Sequence, residues 1–449
     1  MLHQPTTPVS LTCFFFSELL LLHPSTSEAP SFSSARKMLV KALLSALLAA
    51  GVATANPITR RGLGFDFGNE VVRGVNIGGW LVLEPWITPS IFQNRTGFDV
   101  VDEWTLCEKV PDAESILKAH WDNWVTLADF QRIANAGFNT IRLPVGYWAY
   151  KKVPGDPYIQ GAAPYIDQAI TWARQTNLKV WIDLHGAPGS QNGFDNSGQR
   201  IATPGFEQGD TVNVTLQVIQ MIADKYAQPS YQDVVVAIEL LNEPLASALQ
   251  STDELVQFYK DGFGEVRSVS DTPVILQDAF EPAKFWNDVL SSGGDSVVID
   301  HHEYQVFSNA DVALTPSQHR QLVCNNVGSY TSRLSHWVVV GEWSAAMTDC
   351  AAALNGYGIG ARYDGTFPGS TYVGSCASIN FIETWNQTFK DDTRGYIEAQ
   401  LEAFEAHSRG WIFWNFKTEA SAEWDLFRLL DAGVFPQPLT SRKFTVICS

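Results

Sequence analysis

The feature that most constrains the fold is a repeated unit, in which a short apolar segment ends in polar residues and precedes a helical stretch. Nearly continuous apolar character is typical of parallel strands that are covered on both faces. The predicted strands are Val71–Leu81, Thr140–Val145, Lys179–His185, Val234–Leu241, Pro273–Gln277, Val297–His302, Trp337–Glu342 and Gly410–Asn415. Alternation of eight strands with helices predicts an α/β fold, the (β/α)8 TIM barrel.

The segments between the strands carry helical patterns. Predicted helices are Glu114–Ala136, Tyr165–Gln175, Thr211–Tyr226, Thr252–Val269 and Arg394–His407. Gly137 is predicted to cap the first, and Thr252, before two acidic residues, is predicted to be an N-cap. The rival fold, a doubly wound open sheet, predicts a glycine-rich phosphate turn, and neither G-x-G-x-x-G nor a Walker sequence occurs. The barrel is therefore favoured.

Two connections are long, Val82–Asp112 and Ser344–Thr393. Each follows a predicted strand, so in a barrel both lie on the C-terminal rim. Substrate sites of TIM barrels are built from these loops. We therefore expect the site at this rim.

The N-terminal segment is predicted to lie outside the barrel. Residues 1–37 fit a leader poorly and are interpreted as a gene-model extension or an atypical leader. Residues 38–55 have a basic start, a short apolar stretch and a small-residue cleavage pattern, which is typical of a signal peptide. Residues 56–61 end in paired arginines and are interpreted as a pro-segment, which leaves 62–449 as a single (β/α)8 catalytic domain.

Other patterns agree with secretion. Glycosylation acceptors occur at Asn94, Asn213 and Asn386. Downstream of the leader the cysteines are Cys107, Cys324, Cys350, Cys376 and Cys448. An odd number in a secreted chain predicts two bridges and one free thiol, without choosing the pairs. The C-terminus lacks a hydrophobic tail, so no lipid anchor is expected.

Charge and aromatic content restrict the ligand. Asp and Glu number 48 against 30 Lys and Arg, a net charge of −18. Such a surface repels phosphate backbones and anionic lipid, which argues against nucleic acid and membrane surfaces as partners. The chain has 15 Trp, 13 Tyr and 26 Phe, of which most must fill the core. A few can line a site for a flat, weakly polar ligand such as a sugar ring.

Two predicted strands end in a glutamate. Glu243 follows the fourth strand within Asn242-Glu243-Pro244, and Glu342 ends the seventh within Gly341-Glu342-Trp343. A lone strand-end glutamate is usually a helix cap or a rim ion pair. Two of them on opposite sides of a barrel can face each other across the axis, and paired carboxylates are the working groups of glycoside hydrolysis. The pair therefore favours catalysis.

Further polar residues lie at the other strand ends. Arg142 can brace a carboxylate by a bidentate contact or form a structural ion pair. Histidines at Asp183–His185 and Asp300–Gln305 raise the question of a metal, which needs three or four convergent ligands. Hydrogen bonding to sugar hydroxyls and carboxylates is favoured instead, and no metal is predicted. Trp414 can stack beneath a sugar or belong to the core.

Asn242-Glu243-Pro244 together with Gly341-Glu342-Trp343 resembles glycoside hydrolase family 5. Three further stretches resemble the fungal secreted exo-1,3-β-glucanases of that family, and the match covers nearly all of Gly62–Ser449. These stretches are Gly78–Trp86, Asp183–Gly198 and His302–Phe307.

The resemblance implies a retaining mechanism. Glu342 is then the nucleophile, Glu243 is the acid and later the base, and Asn242 hydrogen-bonds the 2-hydroxyl of the sugar. Retention implies carboxyl groups about 5–5.5 Å apart. The other implied substrate-site residues are Arg142 and Tyr304 at the nucleophile, His185, His302 and Trp414 around the first sugar, Glu84 and Asp195 at its hydroxyls, and Phe194 and Phe307 at the second sugar.

The resemblance also implies disulfides between Cys324 and Cys448 and between Cys350 and Cys376, with Cys107 free. We expect a monomeric enzyme without a cofactor, secreted to the extracellular space or cell wall, that releases glucose from non-reducing ends of β-1,3-glucans and their oligosaccharides. Alternatives are an endo-β-glucanase or transglucosylase of the same fold, or a non-catalytic glucan-binding wall protein. Both glutamates are present, which argues against the last.

Overall fold

The computed structural model describes residues 64–93, 95, 99–291, 297–332, 334–444 and 448. The predicted leader, signal peptide and pro-segment, and the acceptor Asn94, lie outside these residues. In the described part eight parallel strands close a barrel in sequence order, with the first paired to the eighth. They are β1 Val72–Asn76, β2 Thr140–Gly146, β3 Lys179–Gly186, β4 Val235–Glu239, β5 Val274–Gln277, β6 Val297–Glu303, β7 Trp337–Trp343 and β8 Gly410–Phe413. The predicted fold class is confirmed.

Helices connect the strands. They are α1 Pro89–Phe92, α2 Glu103–Lys109, α3 Ala113–Asn123, α4 Leu127–Asn135, α5 Ala163–Thr176, α6 Thr211–Tyr226, α7 Thr252–Arg267, α8 Pro316–Thr331, α9 Gln387–His407 and α10 Leu426–Asp431. Between β5 and β6 the described residues form a 3₁₀ helix, Ala283–Asp288, where the regular alternation predicts an α-helix. Within the described ranges, no helix is long and apolar enough to span a bilayer.

The prediction of one helix over Glu114–Ala136 is wrong. The chain forms α3 and α4 there, because Thr126 starts a new helix by reciprocal capping with Asp129. The Thr126 amide donates to the Asp129 carboxylate at 2.8 Å, and the Asp129 amide donates back to the Thr126 hydroxyl. This local bonding overrides the apolar periodicity. Gly137 follows the end of α4 with a φ of +91°, as a terminating glycine should.

Three other elements of the structure differ from the sequence prediction. Ser251, not Thr252, caps α7, with its hydroxyl accepting from the Asp253 amide at 3.1 Å. Helix α8 was not predicted from its sparse apolar residues, although Thr315 begins it with a capping box. The first strand ends at Asn76 rather than Leu81, because the chain turns at Gly79, whose φ is +70°.

The barrel interior has two layers of different chemistry. The lower layer is apolar and includes Trp181, Ile275 and Val339, with Phe65 among the residues packed against it. The layer above it, towards the C-terminal strand ends, is polar and includes Arg142, Asp183, Glu239 and Asp300, all fully buried. A larger apolar cluster packs the helices onto the outside of the barrel. The polar layer therefore forms the floor of whatever site lies at the rim.

The part of the chain that the structure describes contains two disulfides, Cys324–Cys448 and Cys350–Cys376, and Cys107 is a half-buried free cysteine there. Both predicted pairs and the predicted free thiol are thus found. The first bridge joins α8 to the C-terminal segment, and the second lies within the long loop after β7.

Candidate active site

A cavity of about 760 Å³ opens at the C-terminal ends of the strands. Of the twelve predicted site residues, those that line it are Glu84, His185, Phe194, Asp195, Glu243, Tyr304, Phe307, Glu342 and Trp414. The other three, Arg142, Asn242 and His302, are buried and contact one another or the lining carboxylates through hydrogen bonds. The fold thus brings all twelve to one place.

The two glutamates lie close together. Glu342 is the penultimate residue of β7, and Glu243 follows β4 with a left-handed backbone, φ +42°. One carboxylate oxygen of each, with a ring nitrogen of His302, lie within 4.8 Å of one another. Carboxyl groups about 5–5.5 Å apart are typical of retaining glycosidases, whereas inverting enzymes keep about 6.5–9.5 Å for a water. This close approach of one oxygen from each carboxylate agrees with the shorter spacing.

Glu342 is held through both carboxylate oxygens. Arg142 Nη1 donates to Oε1 at 2.8 Å, and the Tyr304 hydroxyl donates to Oε2 at 2.9 Å. Burial raises the pKa of Glu342 to about 8, against the lowering effect of the His302 and Arg142 charges. The contacts fix the direction in which its oxygens point.

Glu243 has a different environment. His302 Nδ1 lies 2.7 Å from Oε1, and Asn196 Nδ2 donates to Oε2 at 2.7 Å. Burial raises the pKa of Glu243, but the hydrogen bond and charge of His302 outweigh burial and leave the pKa below its ordinary value. The two carboxyl groups interact closely and therefore titrate as a pair.

Arg142 organises the floor of the site. It is fully buried and binds Glu239 through two bonds, from Nε at 2.7 Å and from Nη2 at 3.0 Å. This leaves Nη1 for Glu342 and directs Nη2 to the Asn242 Oδ1 at 2.7 Å. The Asn242 Nδ2 atom is buried and finds no partner among the described residues. The predicted contact between Arg142 and Glu342 is present, within a larger ion-pair network.

His185 is set up as a hydrogen-bond acceptor. Its Nδ1 lies 2.6 Å from the Asp183 carboxylate, and its ring stacks on Trp414 with centroids 5.5 Å apart. Burial lowers the pKa of His185 well below its ordinary value, so the ring is neutral. Because Nδ1 donates to Asp183, Nε2 carries a lone pair, and it has no partner in the described chain. A close approach at Gly78, where a Cβ would lie 2.8 Å from the Trp414 ring, gives this tryptophan its room.

The outer pocket contains both acidic and aromatic groups. Burial raises the pKa of Glu84 well above its ordinary value, and burial raises the pKa of Asp195 to about 7. Trp86 Nε1 donates to Glu84 at 2.9 Å, whereas Asp195 Oδ2 is without a partner in the described part. Phe194 and Phe307 are 46% and 45% exposed, so their rings are open to a ligand.

Several residues of the site were not predicted. They are Asn196, Asp183, Glu239, Asp300 and the exposed, pocket-lining Phe280. Two of these carried a usable signal. Asp183 and Asp300 each precede a predicted site histidine by two residues, a spacing that places both side chains on one face of a strand. Asn196 and Glu239 carried no pattern of that kind.

Among the described residues, two groups of side chains could offer ligand atoms to a metal, Glu239–Asp300–His302 and Glu243–His302–Glu342. Both depend on His302. Its Nδ1 is bonded to Glu243 at 2.7 Å and its Nε2 lies 3.2 Å from Asp300. Glu239 and Glu342 are also bonded to Arg142, and Glu342 accepts a further bond from Tyr304. These clusters are therefore parts of one hydrogen-bond network.

A closed eight-stranded barrel, with a pocket at its C-terminal rim and two close glutamates at the ends of β4 and β7, defines a (β/α)8 glycoside hydrolase. Comparison with known proteins makes the assignment more specific. Residues 108–357 match the family described as cellulase (glycosyl hydrolase family 5), and the chain belongs to that family.

The similarity to individual relatives extends along nearly the whole chain. The chain is 46% identical over 422 residues to the glucan 1,3-beta-glucosidase of Schwanniomyces occidentalis, and the match covers 92% of this chain and 98% of that protein. It is 47% identical over 418 residues to the glucan 1,3-beta-glucosidase of Blumeria graminis, covering 91% and 97%. A rutinosidase from Aspergillus niger shares the fold, with a TM-score of 0.66, 20% identity and coverage of 83% and 99%.

Proposed function

We propose that this chain is a retaining, exo-acting glucan 1,3-β-glucosidase that releases glucose from the non-reducing ends of β-1,3-glucans. The observation that carries the proposal is the close pair Glu243 and Glu342 in a rim pocket. It is supported by the identity of 46% to a glucan 1,3-beta-glucosidase along 92% of the chain. The substrate class is taken from these relatives, and the close pair of carboxylates supports the retaining mechanism of the family.

In the first step Glu342 attacks the anomeric carbon and forms a glucosyl-enzyme, while Glu243 protonates the departing oxygen. Arg142 and Tyr304 each donate a hydrogen bond to one carboxylate oxygen of Glu342. The carboxylate is therefore already oriented towards the anomeric carbon before the reaction. In the second step Glu243 takes a proton from water, which displaces Glu342 from the sugar. Because esterification removes the charge of Glu342, the proton is held less firmly by Glu243, and its change from acid to base is favoured.

The unpartnered atoms of the pocket account for recognition of the first sugar. Asn242 Nδ2 can donate to the 2-hydroxyl, a bond that strengthens as the transition state forms. His185 Nε2 can accept from a hydroxyl, and Asp195 Oδ2 has the same capacity. Glu84 lies beside Asp195 as a second hydroxyl ligand. Trp414 provides the stacking surface next to His185.

The second sugar is assigned to the exposed rings. Phe194 and Phe307 line the pocket and are nearly half exposed without substrate. Phe307 packs edge-on against Tyr304, with centroids 5.7 Å apart, so its ring is braced towards the first sugar site. A sugar face between the two phenylalanines buries apolar surface on both sides.

We also propose a monomer that acts outside the cell or in the wall. Two disulfides support an oxidising compartment. The acceptors Asn213 and Asn386 are exposed, although Asn386 also caps α9 by accepting from the Phe389 amide. The leader over residues 38–55 and the pro-segment 56–61 remain predictions.

The test is a time course on laminarin with the anomer of the product followed by proton NMR. Glucose as the first product, released as the β-anomer before mutarotation, is expected. Mixed oligosaccharides at early times would indicate an endo enzyme, lengthened chains would indicate transfer, and an initial α-anomer would contradict retention. Binding of laminarin without any release of reducing sugar would leave only the glucan-binding alternative.

A further inference from the structure

Strand β6 carries two adjacent histidines that each bond to an aspartate, on opposite faces. His301 Nδ1 lies 2.5 Å from Asp278, while His302 Nε2 lies 3.2 Å from Asp300 inside the barrel. The other ring nitrogen of His302 bonds to Glu243 at 2.7 Å. The inner side thus has a continuous chain of hydrogen bonds from Asp300 through the imidazole to the catalytic carboxyl.

The backbone opposite makes room for this aspartate. Gly341 donates its amide to Asp300 Oδ1 at 2.8 Å, and a Cβ at position 341 would lie 2.1 Å from the same oxygen. Asp300 is completely buried and also lies 3.7 Å from the Arg142 guanidinium. A side chain larger than glycine at 341 is therefore incompatible with the position of this carboxylate.

We propose that Asp300 is a positioning residue that keeps a proton on the hydrogen bond between His302 and Glu243, from which the leaving sugar is protonated. The proposal rests on the proposed function for its final step. At 2.7 Å the proton can lie on His302 Nδ1 or on Glu243 Oε1 without movement of heavy atoms. Loss of a proton from the donor nitrogen to the carboxylate leaves a neutral imidazole, whose remaining N–H faces Asp300.

The charges around Asp300, His302 and Glu243 favour retention of the proton that His302 and Glu243 share. Burial lowers the pKa of His302, but the carboxylates of Glu342 and Asp300 raise it well above its ordinary value. Of the neighbouring carboxylates, Asp300 alone is bonded to Nε2, so it orients the ring as well as stabilising its charge. The other titratable groups that face these three residues are Glu84 after β1, Arg142 on β2, Asp183 and His185 on β3, Glu239 on β4, Tyr304 after β6 and Glu342 on β7.

The experiment compares kcat/KM against pH for wild type, Asp300→Asn and Asp278→Asn. The basic limb reports loss of the proton that the acid must deliver. Removing the negative charge at 300 makes that proton easier to lose, so the basic limb moves to lower pH by about 1–3 units. Asp278→Asn removes a matched aspartate–histidine bond outside the barrel, and its profile should coincide with wild type. Asp300→Glu keeps the negative charge, so its basic limb should stay closer to that of the wild type than the limb of Asp300→Asn does.

Two additional measurements test the role of Asp300. Gly341→Ala displaces the Asp300 carboxylate without removing it and should move the basic limb in the same direction. Nitrogen-15 NMR of the imidazole nitrogens follows protonation of His302 without turnover. An unshifted His302 titration or basic limb in folded Asp300→Asn would overturn the inference. Failure of the wild type to release glucose from laminarin would overturn only the proposed function, because the NMR titration still tests Asp300.

Discussion

Replacing Tyr304 by Phe removes one hydrogen bond from Glu342, the proposed nucleophile, and no other interaction of comparable strength. The Tyr304 hydroxyl donates to Glu342 Oε2 at 2.9 Å, and the partner is a carboxylate during the reaction. A hydrogen bond to a charged group contributes about 1.5–3 kcal/mol. At about 1.4 kcal/mol for each tenfold change in rate, kcat/KM should fall about 10- to 150-fold.

The variant should also change the pH profile. The acidic limb of kcat/KM reports ionisation of the nucleophile, and a bond to the ionised form lowers the pKa of Glu342. Its loss raises that pKa, so the acidic limb should move to higher pH. The assay is initial-rate kinetics on laminaribiose between pH 3 and 9, with thermal unfolding as a check of folding.

Tyr330→Phe is the matched control. The Tyr330 hydroxyl is buried, has no hydrogen-bond partner in the described residues, and its ring stacks on His301 outside the barrel. Its removal should leave kcat/KM and the pH profile unchanged. If Tyr304→Phe also stayed within about twofold of wild type, the hydrogen bond to Glu342 would have no role in catalysis and the assignment of the nucleophile would lose its main support.

The remaining predictions concern the glutamates and the aromatic rings. Glu342→Ala should abolish turnover without preventing folding, and added azide should yield the α-glucosyl azide; a β-product would contradict its role as nucleophile. Glu243→Ala should retain slow turnover of an aryl glucoside with a good leaving group, and azide should then yield the β-glucosyl azide; an α-product would reverse the two roles. Phe194→Ala should raise KM for laminari-oligosaccharides while leaving an aryl glucoside little affected, with Met221→Ala, an exposed residue of α6, as control; an unaltered KM on oligosaccharides would exclude the clamp.

The strands were predictable because their interior positions are apolar and their ends are not. Predicted and observed starts agree within one residue for all eight strands, whereas the ends depend on local turns. The first strand shows why strand ends are hard to predict. Ile77 and Leu81 continue its apolar pattern, but the strand ends at Asn76 and the backbone turns at Gly79. The break between α3 and α4 was missed for a similar reason. The reciprocal cap of Thr126 and Asp129 involves only two residues, and the apolar periodicity continues across it.

The catalytic layer was more predictable than the layer that supports it. Glu243 and Glu342 stand out because a glutamate ends an apolar strand beside proline or tryptophan. Glu239 is the last residue of β4, four positions before Glu243, and in the sequence it looks like an isolated polar residue in the core. Its partner Arg142 is 97 positions away in the sequence, so the bidentate bond is visible only in three dimensions.

The buried layer also explains why one arginine is present among so many acids. Arg142 lies within 4 Å of carboxylates of Asp183, Glu239, Asp300 and Glu342, with no exposed surface to solvate any of the first three. Burial penalises the ionised form of these carboxylates, and the charges of Arg142 and His302 offset only part of that penalty. Burial accordingly raises the pKa of Asp183 to about 7 and that of Glu239 well above its ordinary value. Replacing Arg142 by Met would thus cost more than one contact. The buried carboxylates would lose their guanidinium partner, which favours their protonated forms. Glu342 would also lose the neighbouring positive charge that stabilises its ionised form, the form needed for nucleophilic attack.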